Sequence, residues 1–364
     1  MQKNVFLCIF GLFCMHTSAF FSNFVHNITP DFISTPMKKI VGLGNALTDI
    51  LVFVSDEDIN QLALSKGSMN LISYEQYLSI QQRFASARKS MIAGGSAANT
   101  INAIASLGGD ATFIGKIGND EVGAFFLADT LKCGTHPQLL SSDLQSGCCS
   151  VLITPDGERT MCTYLGASAD VRVSDLHPEM FEGFHIFHIE GYLVQDHLMI
   201  EHACRLAKQV GCRVSMDLAA FNVINENKEF ITHLVREYVD IVFANEDEAL
   251  AYTNLAPEEA LNVFAEQCDI AIVKIGKRGS LIKRNQETIH VPAITTHCID
   301  STGAGDYYAG GFLFGLASGL SLHQCGQIAT TTAGRICEVV GAKLQPEEWH
   351  EIRGLAALIT QQNV

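Results

Sequence analysis

From Lys39 onward, short β-branched and apolar runs alternate with amphipathic stretches of about 10–17 residues, and this rhythm constrains the fold more than any other feature of the sequence. A strand followed by a helix-length crossover returns parallel to its predecessor, so repeating the unit builds a parallel sheet with helices on both faces. Buried strands are predicted over 40–43, 112–116, 186–189, 213–217, 241–244 and 270–275, and helices over 97–107, 197–209, 246–253 and 257–267. Three extended runs, 50–55, 147–154 and 160–165, break the rhythm, the last two flanking the turn Pro155-Asp156-Gly157-Glu158. They predict a small accessory sheet. Open α/β sheets bind ligands beyond the carboxyl ends of their strands, so such a sheet would lie over that edge as a lid. An edge hairpin with no gating role is the alternative.

At 364 residues and 48 % apolar content, the chain suits one large α/β domain with an appendage. No low-complexity segment, long charge run or internal repeat divides it. A formal net charge of −15 argues against nucleic acid as a partner, because phosphate backbones are bound by a surplus of Lys and Arg. Most cysteines lie in apolar stretches such as Ile336-Cys337-Glu338-Val339 and read as reduced buried thiols. Cys148 and Cys149 would point to opposite faces of a strand and so cannot chelate one metal. Lys3, an apolar run over 5–15 and then Thr17-Ser18-Ala19 have the layout of a secretory signal, too short to anchor in a bilayer. Met37-Lys38-Lys39, directly before the first strand, reads instead as the start of a cytoplasmic enzyme. The expectation is a cytoplasmic protein with an extended start over 1–36, no membrane partner and a monomeric or homodimeric state; a targeting leader is the alternative.

Two nucleotide-binding fingerprints fail on spacing. Gly42-Leu43-Gly44 follows the first strand, but the third glycine of a dinucleotide-binding turn would fall at Leu47. Nor does a Gly-x-x-x-x-Gly-Lys-Ser/Thr loop occur, since Gly276-Lys277-Arg278-Gly279-Ser280 has the wrong spacing. The segment Asp300-Ser301-Thr302-Gly303-Ala304-Gly305-Asp306 is more informative, because it opens a helix on small residues. Free amides at a helix start carry the positive end of the dipole and form an anion site. Gly303, Ala304 and Gly305 let a phosphate approach the backbone closely. Asp306 would repel that phosphate unless it has a chemical role there. Base catalysis is the natural one, in which the carboxylate takes a proton from an acceptor hydroxyl while the amides stabilise charge on a transferring phosphoryl group.

That segment resembles the second signature of the ribokinase, or PfkB-type, carbohydrate and nucleoside kinase family, and the similarity spans about residues 39–345. The resemblance implies a three-layer α/β/α domain over 37–345, with a mostly parallel central sheet and lid segments near 46–56 and 145–166. A C-terminal tail or helix would follow over 346–364. It also implies ATP and magnesium as co-substrates and transfer of the γ-phosphoryl group to a primary alcohol. By match to the motif, Asp306 is the base and the amides of 303–306 are the anion hole. Asp300 and Thr302 match positions that bind potassium in many members.

Gly94-Gly95-Ser96-Ala97-Ala98-Asn99 resembles the first signature, in which Gly94, Gly95 and Asn99 would contact the acceptor. Asp49, closing Gly44-Asn45-Ala46-Leu47-Thr48-Asp49, matches the family Asp that accepts hydrogen bonds from two sugar hydroxyls. Asn245-Glu246-Asp247-Glu248 matches an Asn-x-x-Glu element, with Asn245 and Glu248 on one helical turn and their oxygens suited to magnesium held through water. Lys274-Ile275-Gly276-Lys277-Arg278-Gly279 resembles the nucleotide loop, with Gly276 and Gly279 lying along ATP. Many sugar kinases carry Thr where this chain has Lys274. That lysine either meets ATP phosphates or is a snorkelling strand-end residue. Glu190 is a further candidate acceptor contact, and Arg159 in the lid turn a weaker candidate for a phosphate.

The stretch Asp217-Leu218-Ala219-Ala220-Phe221-Asn222-Val223, with 44–49, looks closer to adenosine-kinase-like members than to ribokinase proper, which favours a nucleoside acceptor. Phe221 or Tyr192 could stack on the base, with a place in the core, the commoner fate of a strand-end aromatic, as the alternative. A fructokinase, ribokinase or 2-keto-3-deoxygluconate kinase is the alternative. From another class, a catalytically silent nucleoside- or sugar-binding protein of the same fold is disfavoured by the intact Asp306.

Overall fold

In the computed structural model, which describes residues 37–361, the central strands divide their side chains between two apolar cores. Val242 and Ala244 pack into one core while Ile241 and Phe243 pack into the other, and Ala271 and Val273 oppose Ile270 and Ile272 in the same way. This is the period-2 geometry of strands buried on both faces. The leader or extended start expected over 1–36 lies outside the described residues.

The strands in chain order are β1 (Ile40–Leu43), β2 (Leu47–Phe53), β3 (Met69–Leu71), β4 (Lys89–Gly94), β5 (Ala111–Gly118), β6 (His136–Ser142), β7 (Gly147–Ile153), β8 (Arg159–Tyr164), β9 (Ile186–Glu190), β10 (Arg213–Asp217), β11 (Val239–Asn245), β12 (Ile270–Lys274), β13 (Ser280–Arg284) and β14 (Glu287–Val291). The larger sheet runs β14-β13-β12-β11-β10-β9-β1-β5-β6. It is parallel from β6 through β12, with β13 and β14 antiparallel at the edge. Helices Ser96–Ser106, Ala304–Ala317 and Leu322–Ile336 cover one face; His197–Gln209, Phe221–Glu237, Glu246–Thr253 and Pro257–Ala265 cover the other. The result is the expected three-layer α/β/α architecture. Strand order reverses at β1, with β5 and β6 on one side and β9 onward on the other. Such a reversal opens a ligand crevice beyond the strand ends.

The second sheet runs β3-β8-β7-β2-β4, two strands more than the three extended runs foretold. Its outer face packs Ile50, Val52, Cys148 and Leu152 against Ile59 and Ile80 of the helices Asp56–Gln61 and Tyr74–Arg83. The opposite face carries Leu51, Cys149, Val151 and Ile153, joined by Ile92 and Met161. Cys148 and Cys149 thus point apart as the strand period requires, and the described cysteines are all unpaired thiols. The C-terminal segment forms the helix Pro346–Gln361. Among the described residues no helix is long and apolar enough to cross a membrane.

Candidate active site

Four parallel strands end on polar residues at the same sheet edge: β9 on Glu190, β10 on Asp217, β11 on Asn245 and β12 on Lys274. β1 runs out beside them into Gly44 and Asn45. The βαβ topology therefore collects residues far apart in sequence at one crevice.

Glu190 ties two loops together. One carboxylate oxygen accepts from the Asn45 backbone N–H at 3.0 Å and from its Nδ2 at 2.6 Å; the other accepts from the Ala97 N–H at 2.7 Å. Burial raises its pKa, and those donors oppose the rise. Both oxygens bond the chain's own donors and the residue is 1 % exposed, so Glu190 ties the loops together, whereas the sequence suggested an acceptor contact. Gly95 completes the junction: its φ is 95°, and a Cβ there would stand 2.1 Å from the Asn45 carbonyl oxygen. Only glycine fits.

Asp306 lies in the first turn of Ala304–Ala317, after Gly303 in the left-handed region at φ 78°. Its carboxylate accepts from Ser96 Oγ at 2.7 Å and Asn99 Nδ2 at 2.9 Å, while its carbonyl oxygen accepts from Thr100 Oγ1 at 3.1 Å. The two signature segments, more than 200 residues apart, therefore meet helix start to helix start. Burial pushes the Asp306 carboxyl up to about 7 against the pull of Asn99 and Ser96. A carboxylate with that pKa is suited to accept a proton near neutrality. Ser96 and Thr100 were not assigned roles from the sequence, although Ser96 stands between the glycine pair and Asn99.

Asp49 sits on β2, opposite Cys149 of β7 and Ile92 of β4, and shares the inner lid face with Leu51. A Cβ on Gly94 would stand 2.9 Å from its Oδ2, so that glycine leaves the carboxylate its room. Burial raises Asp49 to about 7, opposed by the charge of Arg159.

On the other side of Asp306, Lys274 Nζ donates to Asp217 Oδ2 at 2.7 Å, both side chains being largely buried. Lys274 is therefore no snorkelling lysine. Gly276 (φ 55°) and Gly279 (φ 100°) turn the chain after it, and a Cβ on Gly279 would fall 2.0 Å from the Val291 carbonyl oxygen. Asn245 and Glu248 form a capping box: Asn245 Oδ1 accepts from the Glu248 N–H at 2.9 Å, and Glu248 accepts from the Asn245 N–H at 2.8 Å and from its Nδ2 at 2.5 Å. Burial lifts Glu248 to about 7, with Lys274 opposing. These oxygens retain second lone pairs, and the all-oxygen set fits a hydrated magnesium ion held at one remove. Among the described residues no group of three or more His, Cys, Asp or Glu forms a direct metal cage.

The potassium expectation fares differently. Asp300 Oδ1 accepts from the Thr302 N–H at 3.1 Å and Thr302 Oγ1 at 2.8 Å; Oδ2 accepts from the Gly341 N–H at 2.7 Å and pairs with Arg159 Nη1, also at 2.7 Å. Arg159 Nη1 further donates to Thr302 Oγ1 at 3.3 Å. A guanidinium already supplies the positive charge at these side-chain oxygens, which opposes a potassium ion on them. Arg159 also latches the lid to the core. Phe221, expected to stack on a base, is 55 % exposed at a helix start. Tyr192 is packed against the core, and burial together with nearby Asp306 raises its phenol.

The chain matches the pfkB family carbohydrate kinase description over residues 62–349. It is similar to the solved structure of a probable sugar kinase from Rhizobium etli CFN 42, at 31 % identity and a TM-score of 0.80, covering 89 % of this chain and 100 % of that one. Adenosine kinase from Sinorhizobium meliloti is also similar, with 32 % identity and a TM-score of 0.78 over 88 % and 99 % of the two chains. Among sequence relatives, a probable fructokinase-5 of Arabidopsis thaliana is 28 % identical over 67 % of this chain and 83 % of its own length.

Proposed function

The chain belongs to the pfkB carbohydrate kinase family, and from that membership we propose that it is an ATP-dependent nucleoside kinase with Asp306 as general base. Sugar or nucleoside kinase is the family's chemistry; the choice of a nucleoside rests on the lid. Beside Asp49, the inner lid face carries the apolar side chains of Leu51, Cys149, Val151 and Ile153, all buried, joined by the partly buried Ile92 and Met161. A free sugar is hydroxylated all round and would strand its polar groups there, whereas a ribose diol on Asp49 would carry a flat heterocycle onto that face.

In this reading Asp49 accepts from the two ring hydroxyls and Gly94 leaves space for the sugar, so the primary alcohol is presented to Asp306. As the acceptor oxygen attacks the γ-phosphorus, its proton passes to the Asp306 carboxylate, which Ser96 and Asn99 hold in place. The amides of residues 303–306 receive the charge that develops on the phosphoryl oxygens. ATP lies along Gly276 and Gly279. Glu248 and Asn245 would hold magnesium through water, and the ion would neutralise charge on the phosphate oxygens when bound.

A sugar kinase is the second reading, favoured by the likeness to fructokinase-5. ADP release measured with adenosine, inosine, ribose, fructose and 2-keto-3-deoxygluconate separates the two. The expected result is a kcat/KM for a purine nucleoside at least about 100-fold above that for any free sugar. Preference for fructose or ribose refutes the nucleoside assignment. Absence of turnover with every acceptor points to the silent binding protein.

A further inference from the structure

Next to the turn 300–306, one ammonium is shared among three carboxylates. Lys274 feels Asp217 most strongly, then Glu248, then Asp306. Burial alone would lower its pKa, yet those carboxylates raise it, so the side chain stays charged. Its hydrogen-bond partner among the described residues is Asp217 Oδ2, at 2.7 Å, with side-chain exposures of 14 % and 7 %. Asp217 is itself fixed, because its Oδ1 accepts from the Ala219 N–H at 3.0 Å, in a turn where Ala219 takes a φ of 71°. The ammonium is therefore held at a set place.

That place lies against the anion turn. A Cβ built on Gly305 would stand 3.1 Å from Lys274 Nζ, so the ammonium abuts the backbone of the first turn of Ala304–Ala317. Lysine has three N–H donors and Asp217 uses one, which leaves two for an oxyanion lying over the same amides. A buried ion pair is weak support for stability, since desolvation offsets most of its attraction. Its cost points to use elsewhere. Without Asp217, the flexible lysine would turn to its remaining carboxylate neighbours, Glu248 and Asp306, and a lysine bonded to Asp306 would compete for the lone pair that takes the proton.

We propose that Asp217 is a positioning residue that holds Lys274 against Gly305 and away from Asp306, so that the ammonium neutralises charge on the transferring phosphoryl group. The inference rests on the kinase reading above. In the step, the acceptor oxygen bonds to the γ-phosphorus while the bond from that phosphorus to the β,γ-bridging oxygen breaks. ADP leaves with the electron pair, the acceptor's proton goes to Asp306, and Lys274 neither gives nor takes a proton.

The test compares wild type with Asp217→Asn, Lys274→Met, Lys274→Arg and the double variant Asp217→Asn/Lys274→Met. Asp217→Asn is isosteric and retains an oxygen for the Ala219 N–H. Expected are losses in kcat of about 100-fold for Asp217→Asn and Lys274→Met, with the acceptor KM little changed. The double variant is no worse than Lys274→Met, because Asp217 acts through the lysine. Lys274→Arg, which keeps the charge, recovers a tenth or more of the lost activity, on the order of 10-fold above Lys274→Met. The acid limb of the kcat/KM profile, set by Asp306 among Asp217, Lys274, Tyr192, Ser96 and Asn99, moves down in pH for Asp217→Asn and up for Lys274→Met. An active wild type with an unaffected Asp217→Asn, additive losses in the double variant, or an arginine variant as impaired as methionine each overturns the inference alone. A wild type inert on every acceptor overturns the kinase reading with it.

Discussion

Replacing Glu190 by Gln tests the junction that carries the acceptor side of the site. The carboxylate is 1 % exposed and accepts three hydrogen bonds from Asn45 and Ala97. Glutamine offers one oxygen and one NH2, so in its better orientation the NH2 faces the Ala97 N–H and the Asn45 pair survives. One charge-assisted bond is lost, donor is set against donor, and the two remaining bonds lose their ionic character. Together these cost about 2–4 kcal/mol. At about 2 °C per kcal/mol, the low end for domains of about 150–250 residues, the melting temperature falls by up to about 4–8 °C. Displacement of the Asn45 and Ala97 loops by a fraction of an ångström also lowers kcat/KM, by about 100-fold. Differential scanning calorimetry and steady-state kinetics read the two effects. A variant that melts within about 1 °C of the parent while its acceptor KM rises would refute the positioning role and restore Glu190 as a direct acceptor contact.

Three further outcomes follow from the geometry. The kcat/KM profile should show an acid limb with a midpoint near pH 7: Asp306 must be deprotonated to act and Asp49 to accept from the acceptor hydroxyls, and burial raises both to about 7, so activity is lost as pH falls. Asn99→Ala, by removing a bond that favours the carboxylate, should move that limb upward; a limb near the ordinary aspartate value of about 4 contradicts the burial argument. Gly95→Ala should lower both the melting temperature and kcat/KM, since backbone at φ 95°, ψ 135° costs a non-glycine residue on the order of 1–3 kcal/mol and the new Cβ meets the Asn45 carbonyl oxygen at 2.1 Å; calorimetry indistinguishable from the parent would show that the junction yields. Arg159→Met leaves Asp300, whose side chain is 10 % exposed, without its guanidinium. Breaking a buried pair from one side costs about 3–5 kcal/mol, here nearer the lower figure because the Gly341 and Thr302 amides still bond Asp300. Limited proteolysis at the turn Pro155-Asp156-Gly157-Glu158 should quicken, and unchanged cleavage would mean that this pair does not hold the lid.

Much of the fold was legible because its signal is local. Strands buried on both faces read as unbroken apolar runs, and β1, β5, β9, β10, β11 and β12 fall where those runs predict them. The strands toward the two ends of the sheet did not announce themselves: β6 mixes apolar with polar residues, and β13 and β14 carry Lys283, Arg284 and Glu287 on an antiparallel hairpin. In the same way, the helix start at Gly303–Ala304 and the placement of Asn245 and Glu248 on one helical turn could be read from a few adjacent residues. What escaped depends on partners remote in sequence. Arg159 reaches Thr302 across 143 positions, Glu190 reaches Asn45 across 145, and Lys274 reaches Asp217 across 57. An arginine in a turn, a glutamate at a strand end and a lysine at another have many uses, and only the assembled crevice selects one. The Arg159–Asp300 pair, which opposes the potassium expectation, escaped for the same reason, since the cation that meets Asp300 comes from the other sheet.

The central claim is that the carboxylate at the anion turn takes the acceptor's proton. Its most direct test is the single-turnover rate of Asp306→Asn with a nucleoside that the wild type phosphorylates, alongside ATP binding by calorimetry. Asparagine preserves the shape and the contacts to Ser96 or Asn99 but cannot serve as the base. The predicted result is a rate lower by about 10²- to 10⁴-fold with ATP affinity largely retained. A rate within about tenfold of wild type would remove Asp306 from that role.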